Sequence, residues 1–293
     1  MNKIPVGATI AYAYKFTFEN LGAIIGLIWL PMIASTVGTF FIQTYFSGTL
    51  TAAMMQTQPA EAGQAVLSMI AWWLLSLLLT AMIYTAVTRQ ALGLRKGPAF
   101  VHFSLGLQEF RVFGAELALC AIIGLSVLFY FMGIIALAGV ATRPGAQLLG
   151  AVALLFAVAG GGALIYVTAR LSFLLFPATV VENKLGLSRS WALTGGNFWR
   201  IFAVGLATLG PIALIAGIGQ YLILGPEYFR LILAAVTADP ATQAKISEMQ
   251  SSMMAAHMPA TLGLSLLIAP FSAGLALGGA SFAYRALTPK LPL

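Results

Sequence analysis

Few residues in this chain have the type and spacing for chemistry. Met249, Met253 and His257 recur at intervals of four, which would put them on one face of a helix. Thioether and imidazole ligands suit Cu(I). The same spacing also suits an amphipathic helix whose flexible methionines pack on lipid or on a partner. No cysteine or second histidine stands beside them, which favours packing, and the Met54–Met55 pair in another loop reads the same way.

Glu116 stands out more, because it falls about one turn inside a long apolar run. A lone charge in a bilayer costs roughly 2.5–3.5 kcal/mol on insertion scales. Pairing with Arg170, or with Arg89 or Arg111, would relieve it, as would snorkelling to the interface. A charge in a functional pocket is the remaining reading.

Most catalytic designs lack their parts. There is one aspartate, Asp239, and two histidines, His102 and His257, neither inside an apolar run. An intramembrane Ser–His pair therefore has no base. A two-metal site would need clustered carboxylates at one depth. No H-E-x-x-H, G-x-S-x-G or phosphate-binding glycine loop occurs. The expectation is no enzyme and no cofactor.

The elements that must position these residues are membrane helices. Sixty per cent of the 293 residues are apolar and 8% charged, and the mean hydropathy is +0.95. Six runs are long and apolar enough to span a bilayer, at about Leu21–Phe46, Ala65–Thr88, Val112–Val140, Gln147–Phe176, Trp199–Leu224 and Ala260–Ala286. No hydrophilic stretch is long enough for a second domain, so residues 1–293 read as one polytopic membrane domain. The first run is too long for the core of a signal peptide and is expected to be retained. Cys120 lies inside the third run and has no partner for an internal disulfide.

Of fifteen Lys and Arg, only Arg143, Arg230 and Lys245 fall on the side opposite the termini. By the positive-inside rule both termini face the cytoplasm. The net charge of +7 is thereby explained by topology and needs no nucleic acid. Anionic headgroups are the better partner for it.

Pro31, Pro211 and Pro270 lie within spans and tend to kink them. Kinked helices can frame a mid-membrane site, although ordinary kinked packing is the simpler reading. Gly22-x3-Gly26, Gly160–Gly162 and Gly274-x3-Gly278 read as small-residue helix contacts.

A connector recurs before the odd-numbered spans. Amphipathic stretches lead into the first, third and fifth, and "EFRVFG" at 109–114 resembles "NFWRIFA" at 197–203. Even spans end in an aromatic followed by Arg89, Arg170 or Arg285. Three units, each an interfacial helix followed by a hairpin, would explain this.

The third connector carries the richest signals. Ser188–Gly196 is expected to form a short in-plane helix, with Leu187, Trp191 and Leu193–Thr194 on one face. Gly195–Gly196 would stop it, and Asn197 would cap the fifth span. Trp191 and Trp199 would sit at headgroup depth. A structural Ser190 hydroxyl would be nearly dispensable.

The set Arg170, Pro177, Glu182, Ser190–Trp191, Gly196 and Arg200 resembles the glycerophosphoryl diester phosphodiesterase membrane-domain family and related bacterial inner-membrane proteins. The likeness is strongest over about residues 165–210. It implies a helical membrane domain, sometimes accompanied by a soluble catalytic domain; residues 1–293 hold no stretch that reads as one, so the enzymatic name is not expected to carry over.

The expected fold is an all-α integral membrane protein of six transmembrane helices with cytoplasmic interfacial helices. The structural or lipid-contact candidates are Glu116, Arg170, Pro177, Glu182, Ser190, Trp191, Gly196, Asn197, Trp199 and Arg200. The expected role is a non-catalytic inner-membrane scaffold or accessory subunit that contacts phospholipids, a partner membrane protein or a second copy. A small transporter or flippase is the alternative.

Overall fold

The computed structural model describes residues 3–54, 59–95, 104–141 and 147–288. Among them the chain is helical throughout: α1 (Val6–Glu19), α2 (Leu21–Met54), α3 (Pro59–Ala91), α4 (Leu107–Ala141), α5 (Gln147–Ser172), α6 (Leu175–Glu182), α7 (Leu187–Leu193), α8 (Phe198–Thr237), α9 (Pro240–Ala256) and α10 (Met258–Leu287). Six of these helices are long and apolar enough to cross a membrane. This is a multi-pass integral membrane protein.

Helix boundaries follow local chemistry. The fourth expected span ran unbroken to Phe176, but the chain turns at Phe173–Leu174. Pro177 lacks an N–H, and in a continuous helix its ring would clash with the Phe173 carbonyl. It is tolerated as the third residue of α6, where no intrahelical donor is required. α8 breaks at Gly225 (φ 77°, ψ 166°), which precedes Pro226, while its apolar stretch runs on from Phe198 to Ala235, past the expected end at Leu224.

Helices pair as hairpins: α2 with α3, α4 with α5, and α8 with α10, whose connection contains α9. The connectors are less regular than a threefold repeat suggests. α1 precedes the first hairpin and α6–α7 the third. Ahead of the second, residues 104–106 are non-helical and Leu107 already begins α4.

α1 packs chiefly on α10 and α8 rather than on the helix it precedes. Small residues allow this approach. A Cβ on Gly274 would lie 2.8 Å from Thr17, and one on Gly278 2.7 Å from Phe16. Likewise Gly160 admits Tyr130 of α4. Gly22 and Gly162 face open space, so neither makes the helix contact expected of it.

The core gathers where α1, α6 and the adjoining ends of α3, α8 and α10 meet. Phe16, Ile24, Val87 and Leu277 form one buried cluster. Ile4, Leu174, Ile201 and Tyr284 form another. By contrast α4 and α5 expose Leu125, Phe129, Leu154 and Val158, as lipid-facing helices do.

Candidate functional site: an elbow and an apolar cavity

The elbow from Arg170 to Arg200 is held by polar groups turned inward. Arg170 ends α5 with its guanidinium 3.7 Å from the Trp191 ring centroid and 5.2 Å from that of Tyr166. Its nitrogens donate to the Tyr166 hydroxyl (2.8 Å), the Trp191 carbonyl (2.6 Å) and Thr194 Oγ1 (3.3 Å). Every nitrogen of this planar fork is engaged within the elbow, so the expected pair with Glu116 does not form.

Ser190 occupies the break between α5 and α6. Its hydroxyl donates to the Arg170 carbonyl (2.8 Å) and accepts from the Leu174 amide (3.3 Å). These are the two groups that would have bonded each other had the helix continued. A fully buried hydroxyl thus substitutes for one missing turn bond. Thr194 supports it from the next turn, donating 2.7 Å to the Ser190 carbonyl and 3.2 Å to that of Arg170.

The inward face of α7 is a small-or-hydroxyl one that cuts across the expected apolar face and takes only Thr194 from it. Gly186, Ser190 and Thr194 are buried, whereas Trp191 is 37% exposed and Leu187 and Leu193 are half-buried. A Cβ on Gly186 would meet the Leu175 carbonyl and Thr179 Oγ1 at 2.7 Å, which is why a glycine stands there.

Gly196 is left-handed (φ 68°), as a helix stop requires, whereas Gly195 does not share that conformation. Asn197 precedes α8 in the cap position, but its side chain does not cap that helix. Its Oδ1 accepts from the Ile4 amide (3.0 Å) while Arg200 donates to the Ile4 carbonyl (2.7 Å). Two elbow residues therefore clamp the backbone of one N-terminal residue, Ile4, from both sides. Glu182 Oε1 accepts from Arg189 (2.7 Å) and from the Tyr284 hydroxyl (2.9 Å), tying α6 and α7 to α10. Trp199 projects outward, 76% exposed.

Sequence reasoning missed Ile4 and Gly186, and it gave Tyr166, Thr194 and Tyr284 no partner. The small-or-hydroxyl series Gly186, Ser190, Thr194 was the available signal, since it marks a closely packed helical face.

Glu116 is buried and makes no ion pair among the described residues. It is 5% exposed, and its Oε2 has no hydrogen-bond partner. Arg111 donates instead to Asn183 (2.9 Å), and no ion pair with Arg89 forms. On α3, Thr85 and Thr88 are fully buried with unpartnered hydroxyls. Other span hydroxyls, such as Thr80 and Thr208, bond back to the carbonyl four residues earlier.

A partly open cavity of about 630 Å³ is walled by α2, α3, α8, α10 and the α5–α6 break. Its lining runs from Val204 to Gln220 on α8 and from Leu264 to Ala280 on α10. At 1.5 Å per residue that is about 24 Å along the helices. The wall is mainly apolar, and no acid, lysine or arginine lines it. The hydroxyls of Thr80, Ser172, Thr208, Ser265 and Ser272 are spent on their own helices, which leaves little hydrogen bonding for a ligand.

On the far side, Met249 and Met254 are exposed and His257 joins α9 to α10. The His257 Nδ1 lies 2.9 Å from the Met253 carbonyl, and the Met254 sulfur accepts from Tyr228 (3.3 Å). Among the described residues no three His, Cys, Asp or Glu side chains gather as a metal site. His102 and Met55 lie outside the described residues. No family model, no curated protein and no solved structure matches this chain.

Proposed function

We propose that this chain is a non-catalytic, lipid-binding protein of the bacterial cytoplasmic membrane, with both termini inside, which holds an acyl chain within its helical bundle. The cavity carries this reading. If each methylene-sized group takes roughly the 30 Å³ of a water molecule, the cavity accommodates about twenty of them, one acyl chain rather than two. Burying such a chain stabilises the complex by up to about 0.8 kcal/mol per methylene relative to water, but competition with the bilayer returns most of that. Shape and the polar end of the ligand must then supply selectivity.

The elbow fits a supporting role. Each motif residue of the 170–200 stretch has a packing, hydrogen-bonding or, for Gly196, backbone-turning task, and the hydroxyl best suited to nucleophilic chemistry, that of Ser190, is sealed from any substrate. The exposed apolar faces of α4 and α5 suit bilayer lipid, a partner membrane protein or a second copy.

Transport or flipping is the second reading, favoured by the cavity's length. About 24 Å exceeds the roughly 15 Å depth of one leaflet.

Gly205 provides the test, because it lines the cavity and a Cβ there would meet nothing within 4 Å. Gly205→Leu should fill the chamber without straining the fold. Native mass spectrometry should show lipid bound to the wild type and lost from Gly205→Leu at unchanged thermal stability. Wild type that never retains lipid refutes the proposal. Lipid flipping in proteoliposomes that Gly205→Leu abolishes would select the second reading.

A further inference from the structure

We infer that the cavity selects an uncharged amphiphile whose head both donates and accepts hydrogen bonds, as an amide or a hydroxyl does. It enters sideways between α3 and α8 and rests with its head on Gln220 and its tail against the α5–α6 break. The inference rests on the reading of the cavity as a lipid site and specifies the chemistry and orientation of what it holds.

The wall has an open side. α3 and α8 both pack on α10, and among the described residues they make no comparable contact with each other. α5 meets α8 beside the elbow, where the Tyr166 and Phe198 ring centroids lie 5.0 Å apart. Farther from the elbow α5 adds nothing to the lining and exposes Leu154, Leu155 and Val158. Leu209 on α8 lines the cavity and is nevertheless 39% exposed, so this edge of the chamber faces the bilayer. The inner end is floored by Ser172, Phe173 and Phe176 of the α5–α6 break, with Phe176 packed on Tyr84 at 4.4 Å between ring centroids.

Gln220 supplies the polar contact at the other end, about 24 Å along α8 from Val204. It falls within the apolar stretch Phe198–Ala235, and it is the one side-chain amide in the cavity wall. Its side chain is exposed and makes no hydrogen bond among the described residues, whereas five lining hydroxyls are spent on their own helices. A carboxamide offers two donors and an acceptor. A head that donates and accepts satisfies both halves of it, while an ester meets the donors alone. A charged head would give up water for a wall that holds no counter-charge, a cost that a neutral head avoids. The Tyr84 hydroxyl is the rival anchor, but a head reaching it would cross the whole apolar chamber, which a tail enters freely.

The test uses the purified protein in nanodiscs of neutral lipid, with hexadecanamide and methyl hexadecanoate as probes of equal acyl chain. Hexadecanamide should bind about fivefold more tightly, the worth of one neutral hydrogen bond. Gln220→Leu should erase that preference while both probes still bind, and Gln220→Asn should retain part of it. Gly205→Leu should weaken both probes. Hexadecanamide carrying a diazirine at its terminal carbon should label the inner end, around Phe173 and Phe176. Amide and ester binding equally to the wild type, with Gly205→Leu still weakening both, overturns the head assignment and leaves the lipid cavity standing. A preference that survives in Gln220→Leu overturns it too, as does hexadecyl phosphate binding more tightly than the amide. Labelling around Gln220 and Leu264 instead overturns the orientation and gives the head to Tyr84. If neither probe binds, or Gly205→Leu leaves both unchanged, the cavity reading itself falls.

Discussion

Replacing Ser190 by alanine removes one oxygen from a site that water cannot reach. The Leu174 amide loses its acceptor, at 3.3 Å, and the Arg170 carbonyl loses its shortest donor, at 2.8 Å. Thr194 still donates to that carbonyl at 3.2 Å, so only the amide is fully orphaned. Leaving one buried donor unpaired costs about 1–3 kcal/mol, and a neutral hydrogen bond contributes about 0.5–1.5 kcal/mol. Because the carbonyl stays partly satisfied, we expect a loss of about 2 kcal/mol. Reversible unfolding in mixed micelles on an SDS titration would measure it. Thr194→Val and the double variant complete a cycle, and coupling of at least about 0.5 kcal/mol is expected because both hydroxyls meet at one carbonyl. Ser190→Ala within about 0.5 kcal/mol of wild type would refute the bridging role. A fold of normal stability that fails to hold lipid would instead make the hydroxyl part of a ligand site.

Gly196→Ala should cost about 1–2 kcal/mol in the same titration, since its left-handed backbone alone is penalised and no neighbour obstructs a Cβ. Gly195→Ala, lacking that conformation, should be tolerated, and equal costs at both positions would contradict this assignment. In a Cys120→Ala background, exposed cysteines at Lys184 and Thr242 should label from opposite sides of the membrane. Modification of Lys184→Cys by an impermeant reagent outside intact spheroplasts would overturn the placement of the termini in the cytoplasm. Hydrogen bonds from the Thr242 hydroxyl and from the Thr242 and Ala241 amides hold the Asp239 carboxyl below the ordinary aspartate value. A lowered folded-state value means that the cap supports α9 above about pH 4, the unfolded value, and weakens as pH falls through the lower folded one. Amide-exchange protection at Ala241 and Thr242 should therefore fall in acid, and protection independent of pH would count against the cap.

The sequence by itself determined the class of protein and most of its helices. Long apolar runs in a chain with eight acids leave no other home than a bilayer, and the asymmetry of its basic residues points to an orientation. Pro177 and Gly196 were legible because proline and glycine restrict the backbone locally, whatever packs around them. Interior partners were not legible, for a physical reason. Arg170 turned to Trp191 and Tyr166 rather than to Glu116, and Asn197 turned to Ile4, 193 positions away, rather than to its own helix. Such choices depend on which helices become neighbours, and apolar spans carry little pattern to specify that. Hydropathy also could not show which face of α7 turns inward, because burial there follows close approach and hydrogen bonding rather than apolarity. The cavity was invisible for the same cause. A void is defined by residues from five segments of chain that meet only in the folded bundle, so only the tertiary structure decided that Tyr84, Phe176 and Gly205 share one wall.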